Sequence, residues 1–260
     1  MIKLLYSQTG IFFAEIKYSK EVFKDYKPHY HSELCIGLIQ RGSMNVYYGE
    51  SRYMIKNNEI MVFNPKQIHY TKNINAIGYA SIHFDLKWCE SIQKELGINK
   101  NEFVNISKKI IQNKKMSQIC IDILSEENNK SNEKLIQIIK EIFTKYCKHS
   151  NTNENNIIVN KMKRYIDDNI NEQITISDIS KELAYNKSYL IRLFKKNIGL
   201  TPQNYIVNEK INLAKDKLKN NYSKAIVDLA NESGFYDQSH FNKNFRKIQG
   251  MSPIKFKKSI

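Results

Sequence analysis

Two stretches of this 260-residue chain carry side chains whose types and spacing suit the edges of base pairs. Ser188, Ile191, Arg192 and Lys195 share one helical stripe, and Ser239, Asn242, Lys243 and Arg246 share another 51 positions later. Short or base-capable groups open each stripe and cations close it. In the major groove arginine pairs with guanine and asparagine with adenine, while an apolar side chain such as Ile191 meets a thymine methyl. A second constellation lies far upstream. His29, His31 and Glu33 alternate, so on a strand they point to one face, and His69 can join them from another strand. Such a set can ligate a metal or anchor a small polar molecule. The polar lining of an effector pocket is the reading carried forward, with no metal or other cofactor expected. His83, in Ile82-His83-Phe84, reads as a core or strand-edge histidine. No nucleophile–base motif or phosphate-binding glycine loop is seen elsewhere, so no catalytic residue is assigned.

The elements that must hold the two stripes are repeated. At an offset of 51, Ser188 matches Ser239, Leu190 matches Phe241, Phe194 matches Phe245, Gly199 matches Gly250 and Pro202 matches Pro253. Upstream the offset drops to 50, where Asp178-Ile179 match Asp228-Leu229. Each copy reads as helix–turn–helix. Thr175-x-x-Asp178 makes a capping-box-like start, Asn186 caps the second helix, and Gly199 ends it where positive φ is easiest. Thr201-Pro202 then starts the next helix with a hydroxyl cap and proline at its first position. In the second copy Asp237 caps, Gly250 stops and Ser252-Pro253 restarts. Its entry is weaker, because Ala225 stands where the first copy has Thr175. Between the copies a helical pattern runs from Thr201 to about Lys219, spanning about 28 Å at 1.5 Å per residue. That is near the ~34 Å between successive major-groove faces of one duplex. One chain can therefore place two reading helices on one side of DNA.

The first hundred residues alternate as short strands, with Val46 and Tyr48 before Gly49-Glu50-Ser51, Tyr53 and Ile55 after it, and then Ile60 and Val62. Strands at this spacing suggest a small antiparallel barrel or sandwich. Beyond it a helix is expected over Ile110–Leu124, a turn over Glu126–Ser131, and a helical stripe through Leu135, Ile138, Ile139, Ile142, Phe143 and Tyr146. These two helices can pack on the barrel, on each other or on a second subunit. The polar run from His149 to Asn156 is the linker. The expected fold is therefore α+β: a barrel domain with two following helices over 1–148, a linker over 149–156, and an all-α domain over 157–260.

Charge fits this division. The chain holds 41 Lys+Arg against 26 Asp+Glu, a net +15, and ten of those charges fall in residues 181–260. A compact basic end suits a polyanion, nucleic acid or a membrane surface, and the repeated caps and stops favour the duplex. Apolar content of 41% is enough for packed cores and excludes wholesale disorder. No run reaches the ~18 apolar residues of a membrane span. The opening Met1–Tyr6 lacks a secretory pattern, and Cys35, Cys89, Cys120 and Cys147 form no C-x-x-C pair. A cytoplasmic protein with buried reduced thiols is expected.

Residues from about 157 to 260 resemble the DNA-binding domain of AraC/XylS-type transcription regulators. The resemblance rests on Ser188-Tyr189-Leu190-x-Arg192-Leu193-Phe194-Lys195-Lys196 with Gly199, and on Gly234-Phe235-Tyr236-Asp237-Gln238-Ser239-His240-Phe241 with Phe245-Arg246-Lys247 and Gly250-Met251-Ser252-Pro253. Departures are Ala184 in a turn that often holds glycine, Ser180 and Ala225 at helix starts, Lys210 where arginine is usual, and Phe256 where tyrosine is usual. Pro28–Glu33 and Asn64-Pro65-x-x-x-His69 resemble the small cupin barrel that precedes this domain in many such regulators. The resemblance implies a regulator, an activator by preference, that binds double-stranded DNA. Ser188, Ile191, Arg192, Gln238, Ser239, His240, Asn242 and Lys243 would read bases beside Asn186, and Lys187, Lys195, Lys196, Arg246 and Lys247 would meet the backbone. It also implies a small-molecule effector or partner sensed by the barrel, a homodimer through the 107–147 helices, and contact with RNA polymerase. The alternative is a metal-dependent cupin enzyme with an accessory nucleic-acid-binding domain.

Overall fold

The computed structural model describes residues 2–6, 10–19, 25–98, 102–123, 129–147, 156–220 and 222–259. They form two compact units, one of residues 1–25 with 30–151 and one of residues 152–260 grouped with the short strand at 26–29. The expected linker falls outside the described residues except for Asn156, which caps the first helix of the second unit.

The strands are β1 (Ile2–Tyr6), β2 (Phe12–Ser19), β3 (Tyr26–His29), β4 (Leu34–Arg41), β5 (Ser43–Tyr48), β6 (Ser51–Lys56), β7 (Glu59–Phe63), β8 (His69–Asn73), β9 (Ile77–Phe84) and β10 (Ile110–Gln112). In the first unit one sheet runs β1-β2-β9-β4-β7-β10, and β8, β5 and β6 lie side by side in another. All the pairings described are antiparallel. The β5–β6 hairpin forms where the sequence places it, with Tyr48 opposite Ser51 and Gly49 at φ 60 in the two-residue turn. Strand β4 is buried on both faces from Leu34 to Ile39, because helices cover one face and the barrel interior lies on the other.

Among the described residues this unit has three helices: α1 (Leu86–Glu95), α2 (Lys114–Asp122) and α3 (Asn129–Tyr146). The helix expected over Ile110–Leu124 is shorter. Ile110 and Ile111 pair with Met61 and Ile60 as β10, and Asn113 caps α2 by accepting from the Met116 N–H at 3.0 Å. Of the expected turn, residues 129–131 lie in α3 and the rest lies outside the described residues. Helix α1 is additional to the two expected, and starts at an Asp85 cap that accepts from the Trp88 N–H at 2.8 Å. The α3 stripe of Leu135, Ile138, Ile139, Ile142 and Phe143 joins Leu34, Ile36, Val62 and Ile82 in one core. The chain's own barrel therefore covers that stripe.

The second unit contains α4 (Ile157–Asp168), α5 (Ile176–Leu183), α6 (Lys187–Ile198), α7 (Pro202–Lys219), α8 (Ile226–Glu232), α9 (Gln238–Gln249) and α10 (Pro253–Lys257). Helices α5–α6 and α8–α9 are the two copies of the repeat, joined by α7. Their inner faces are Ile179, Leu190 and Phe194 in one copy and Leu229, Phe241 and Phe245 in the other, all fully buried. Helix α7 is buried along Tyr205, Ile206, Ile211, Ala214 and Leu218, which makes it the spine between the two motifs.

The caps differ between the copies as the sequence indicates. The Thr175 hydroxyl accepts from the Ser177 and Asp178 N–H groups at 3.2 and 3.4 Å, and Asp178 accepts the Thr175 N–H at 2.9 Å. The bonds that Asp178 receives from the Thr175 hydroxyl and backbone hold its carboxyl below the ordinary pKa. Their contribution is present above the ordinary carboxylate range and is lost as pH falls through the lowered value. At α8 only the reciprocal half survives, with Asp228 accepting the Ala225 N–H at 3.2 Å. Ala225→Thr is expected to stabilise the second unit by about 1 kcal/mol by supplying the missing acceptor. Urea unfolding checks this, and an unchanged midpoint would show that the α8 start does not accept a cap.

Candidate nucleic-acid interface

The two outward stripes stand on helices with the same start and the same stop. Asn186 accepts from the Ser188 N–H at 2.8 Å to open α6, and Asp237 accepts from the His240 N–H at 2.6 Å to open α9. Gly199 and Gly250 close them at φ 85, ψ −7 and φ 79, ψ −8. That left-handed geometry favours glycine, and in both helices its N–H returns to the fourth carbonyl back, Lys195 at 2.8 Å and Arg246 at 2.9 Å. Proline then starts the following helix in each copy, at Pro202 and Pro253.

On α6 Lys187, Ser188, Arg192, Lys195 and Lys196 are exposed, and Ile191 is half-buried. On α9 Ser239, His240, Lys243, Arg246 and Lys247 are exposed, and Gln238 and Asn242 are half-buried. The cations in the last turn of each helix also face the negative end of its dipole. Two residues have local duties as well, and a third is partly shielded. The Asn186 amide oxygen is engaged in the cap. The His240 ring packs edge-on against Phe235 with centroids 5.6 Å apart. Oδ1 of Asn242 is shielded from solvent, so this amide must turn outward to reach a base.

Tyr236 enters the sequence pattern only as part of the motif, yet it is 81% exposed at the turn before α9. Tyr185 and Tyr189, with rings 5.7 Å apart, are also exposed beside the start of α6. Their aromatic bodies border the reading positions. The turn before α6 is held by Ala184 at φ 56 and by the Ser180 hydroxyl, which donates to the Tyr185 carbonyl at 2.6 Å.

The α7 spine is tied to both motifs by one buried side chain. Lys210 Nζ donates to the Glu172 carbonyl before α5 at 2.5 Å and to the Gly234 carbonyl between α8 and α9 at 2.6 Å. Burial pushes its pKa down. Gly234 lies at φ 68, and a Cβ there would meet Lys210 Nζ at 2.5 Å and the Asn171 carbonyl oxygen at 2.8 Å. The sequence shows Lys210 only as a lysine in a helical run, because its partners lie 38 and 24 residues away.

In the barrel unit His31, Glu33 and His69 are all buried. The His31 and His69 rings come together at 5.2 Å, and His69 Nδ1 lies 2.8 Å from the Gln67 carbonyl. Glu33 accepts from the Ser32 hydroxyl at 3.2 Å. His29 is buried at the end of β3, with Nδ1 2.7 Å from the Lys27 carbonyl. His83 is also buried, at the centre of the first sheet rather than at an edge.

Comparison with known proteins agrees with this division. A family model described as "Helix-turn-helix domain" matches residues 179–259, and one described as "AraC-like ligand binding domain" matches residues 22–143. The HTH-type transcriptional regulator YbfI of Bacillus subtilis is 24% identical over 231 residues, covering 85% of this chain and 83% of YbfI. The melibiose operon regulatory protein of Escherichia coli is 24% identical over 255 residues, covering 88% and 83%. Among solved structures, an apo form of ToxT from Vibrio cholerae superposes with a TM-score of 0.60 at 14% identity, over 95% of this chain and 97% of ToxT, a likeness of fold. The relatives named by sequence are regulators, which favours the regulator over the cupin enzyme. The chain belongs to the AraC-type family of DNA-binding transcription regulators, with an AraC-like ligand-binding domain ahead of its helix-turn-helix domain.

Proposed function

We propose that α6 and α9 read two successive major-groove segments of one duplex, with α7 as the rigid spacer between them. The observation that carries this reading is the duplicated helix frame: capped start, exposed polar-to-basic stripe, left-handed glycine and proline restart. Ser188, Ile191, Arg192, Gln238, Ser239, His240, Asn242 and Lys243 read bases. Lys187, Lys195, Lys196, Arg246 and Lys247 meet phosphates, and Asn186 orients the entry of α6. Arg192→Ala is expected to cost about 1–3 kcal/mol of binding and to relax preference at one base pair. Competition assays against single-base variants of the site check this. A loss equal for every sequence would assign Arg192 to the backbone instead.

The barrel unit acts in this proposal as the sensor, without a catalytic role of its own. Its interior residues His31, His69, Glu15, Ser81 and His83 are polar and buried, which suits a small polar effector better than a long apolar chain. His29 and Glu33 belong to the same expected set. The protein works in the cytoplasm, as an activator that contacts RNA polymerase and as a homodimer. With the α3 stripe covered by the barrel, the dimer uses the outer surface of α2 and α3, where Ile119 and Ile136 line a groove among Lys115, Glu133, Lys134 and Glu141. Light scattering that gives a monomer mass at every concentration would contradict the dimer.

A further inference from the structure

The inner face of the first sheet holds a buried row that DNA binding does not use. Glu15, His83 and Cys35 are direct cross-strand partners on β2, β9 and β4, so their side chains share one face. Their neighbours Ala14, Phe84 and Leu34 belong to the core under the helices. Because faces alternate along a strand, the row points the other way, into the barrel. Cys35 Sγ lies 3.9 Å from His83 Nε2, and the Ser81 hydroxyl lies 3.1 Å from the same nitrogen. The His31 ring stands at 85° to His83 with centroids 4.6 Å apart. One donor atom from each of His31, Cys35 and His83 lies within 4.8 Å of the other two.

We propose that His31, Cys35 and His83 hold a thiophilic divalent cation of the zinc class. Zinc–sulfur and zinc–nitrogen bonds of about 2.3 and 2.0–2.1 Å in a tetrahedral site place sulfur and nitrogen about 3.6 Å apart. The 3.9 Å between Cys35 and His83 is a few tenths of an ångström from that spacing. Two imidazoles and a thiolate select zinc-like ions over magnesium or calcium. Binding releases the Cys35 thiol proton to solvent, so the ion is met by an anionic ligand. The Glu15 carboxylate opposite His83 is balanced by Lys17 Nζ at 3.5 Å, so the ion's charge is met by the Cys35 thiolate. Three protein ligands leave a fourth position for water or an exogenous group. The inference deepens the sensor reading of the barrel and rests on it for its regulatory meaning.

Cobalt(II) is the probe, because zinc is spectroscopically silent. The full chain, stripped with a chelator, is expected to bind one equivalent of cobalt with a thiolate-to-metal charge-transfer band, and zinc should displace it. Cys35→Ser is expected to abolish the band, whereas Cys147→Ser should leave it intact. Zinc should also slow alkylation of Cys35 in the wild-type protein, a readout that needs no variant to fold. Failure to bind a stoichiometric ion, a band that survives Cys35→Ser, or alkylation of Cys35 indifferent to zinc would each overturn the site. DNA affinity measured with and without zinc separates the second question. A bound ion that leaves DNA affinity unchanged would establish the site and overturn its regulatory role.

Discussion

Phe241→Ala is expected to cost the helical unit about 3–5 kcal/mol, the range for emptying a buried aromatic site. Phe241 is fully buried and anchors a chain of rings. It lies 5.2 Å from Phe235 edge-on and 5.6 Å from Phe245, which in turn meets Phe256 at 5.7 Å. Those partners come from the turn before α9, from α9 itself and from α10, so the void opens where the second motif is assembled. Against a typical domain stability of about 5–15 kcal/mol, this loss is large enough to unfold α8–α10 at physiological temperature. Urea unfolding followed by circular dichroism measures it. A cost below about 1 kcal/mol would mean that the surrounding rings refill the space, and would contradict the packing described.

Lys210→Met is expected to be nearly as severe and more specific in its consequence. Methionine keeps most of the length of the stem but removes the donors, so the Gly234 carbonyl loses its partner and the Glu172 carbonyl keeps only the Ile174 N–H. With about 1–3 kcal/mol for the unsatisfied Gly234 carbonyl and about 1 kcal/mol for the lost bond to Glu172, the loss is about 2–4 kcal/mol. Because one ammonium ties both motifs to α7, the substitution should also loosen the spacing between the reading helices. Affinity for a site with two boxes should fall more than affinity for either box alone. Lys210→Arg, which retains donors able to reach both carbonyls, should restore most of the stability. Equal losses for one-box and two-box sites would show that Lys210 stabilises the unit without setting the geometry.

What is legible in the sequence is local. Caps at Thr175, Asn186 and Asp237 and stops at Gly199 and Gly250 act within one helical turn, so their residue types announce them. The β5–β6 hairpin is equally local, fixed by Gly49-Glu50 between alternating strands. The α3 stripe is legible as a face, but its partner is not, since nothing in a helical period says which surface covers it. Ile110-Ile111 reads as helix because a short apolar pair fits either period, and pairing with Ile60 and Met61 decides for strand. Within the barrel, Cys35 and His83 stand 48 residues apart and meet only through the β4–β9 register. Their proximity is a property of strand pairing that spacing along the chain does not contain. The same holds for Lys210, whose two acceptors come from separate turns.

The central claim, that two helices of one chain read two DNA segments, is tested most directly by selecting binding sites from a random duplex library with the full chain. At about 0.15 M salt, non-specific phosphate binding is weakened by counterion competition. The expected result is two short boxes with centres about one helical turn, ~10 bp, apart. Binding without enrichment of any sequence would contradict the claim and leave the basic stripes as a phosphate-binding surface alone.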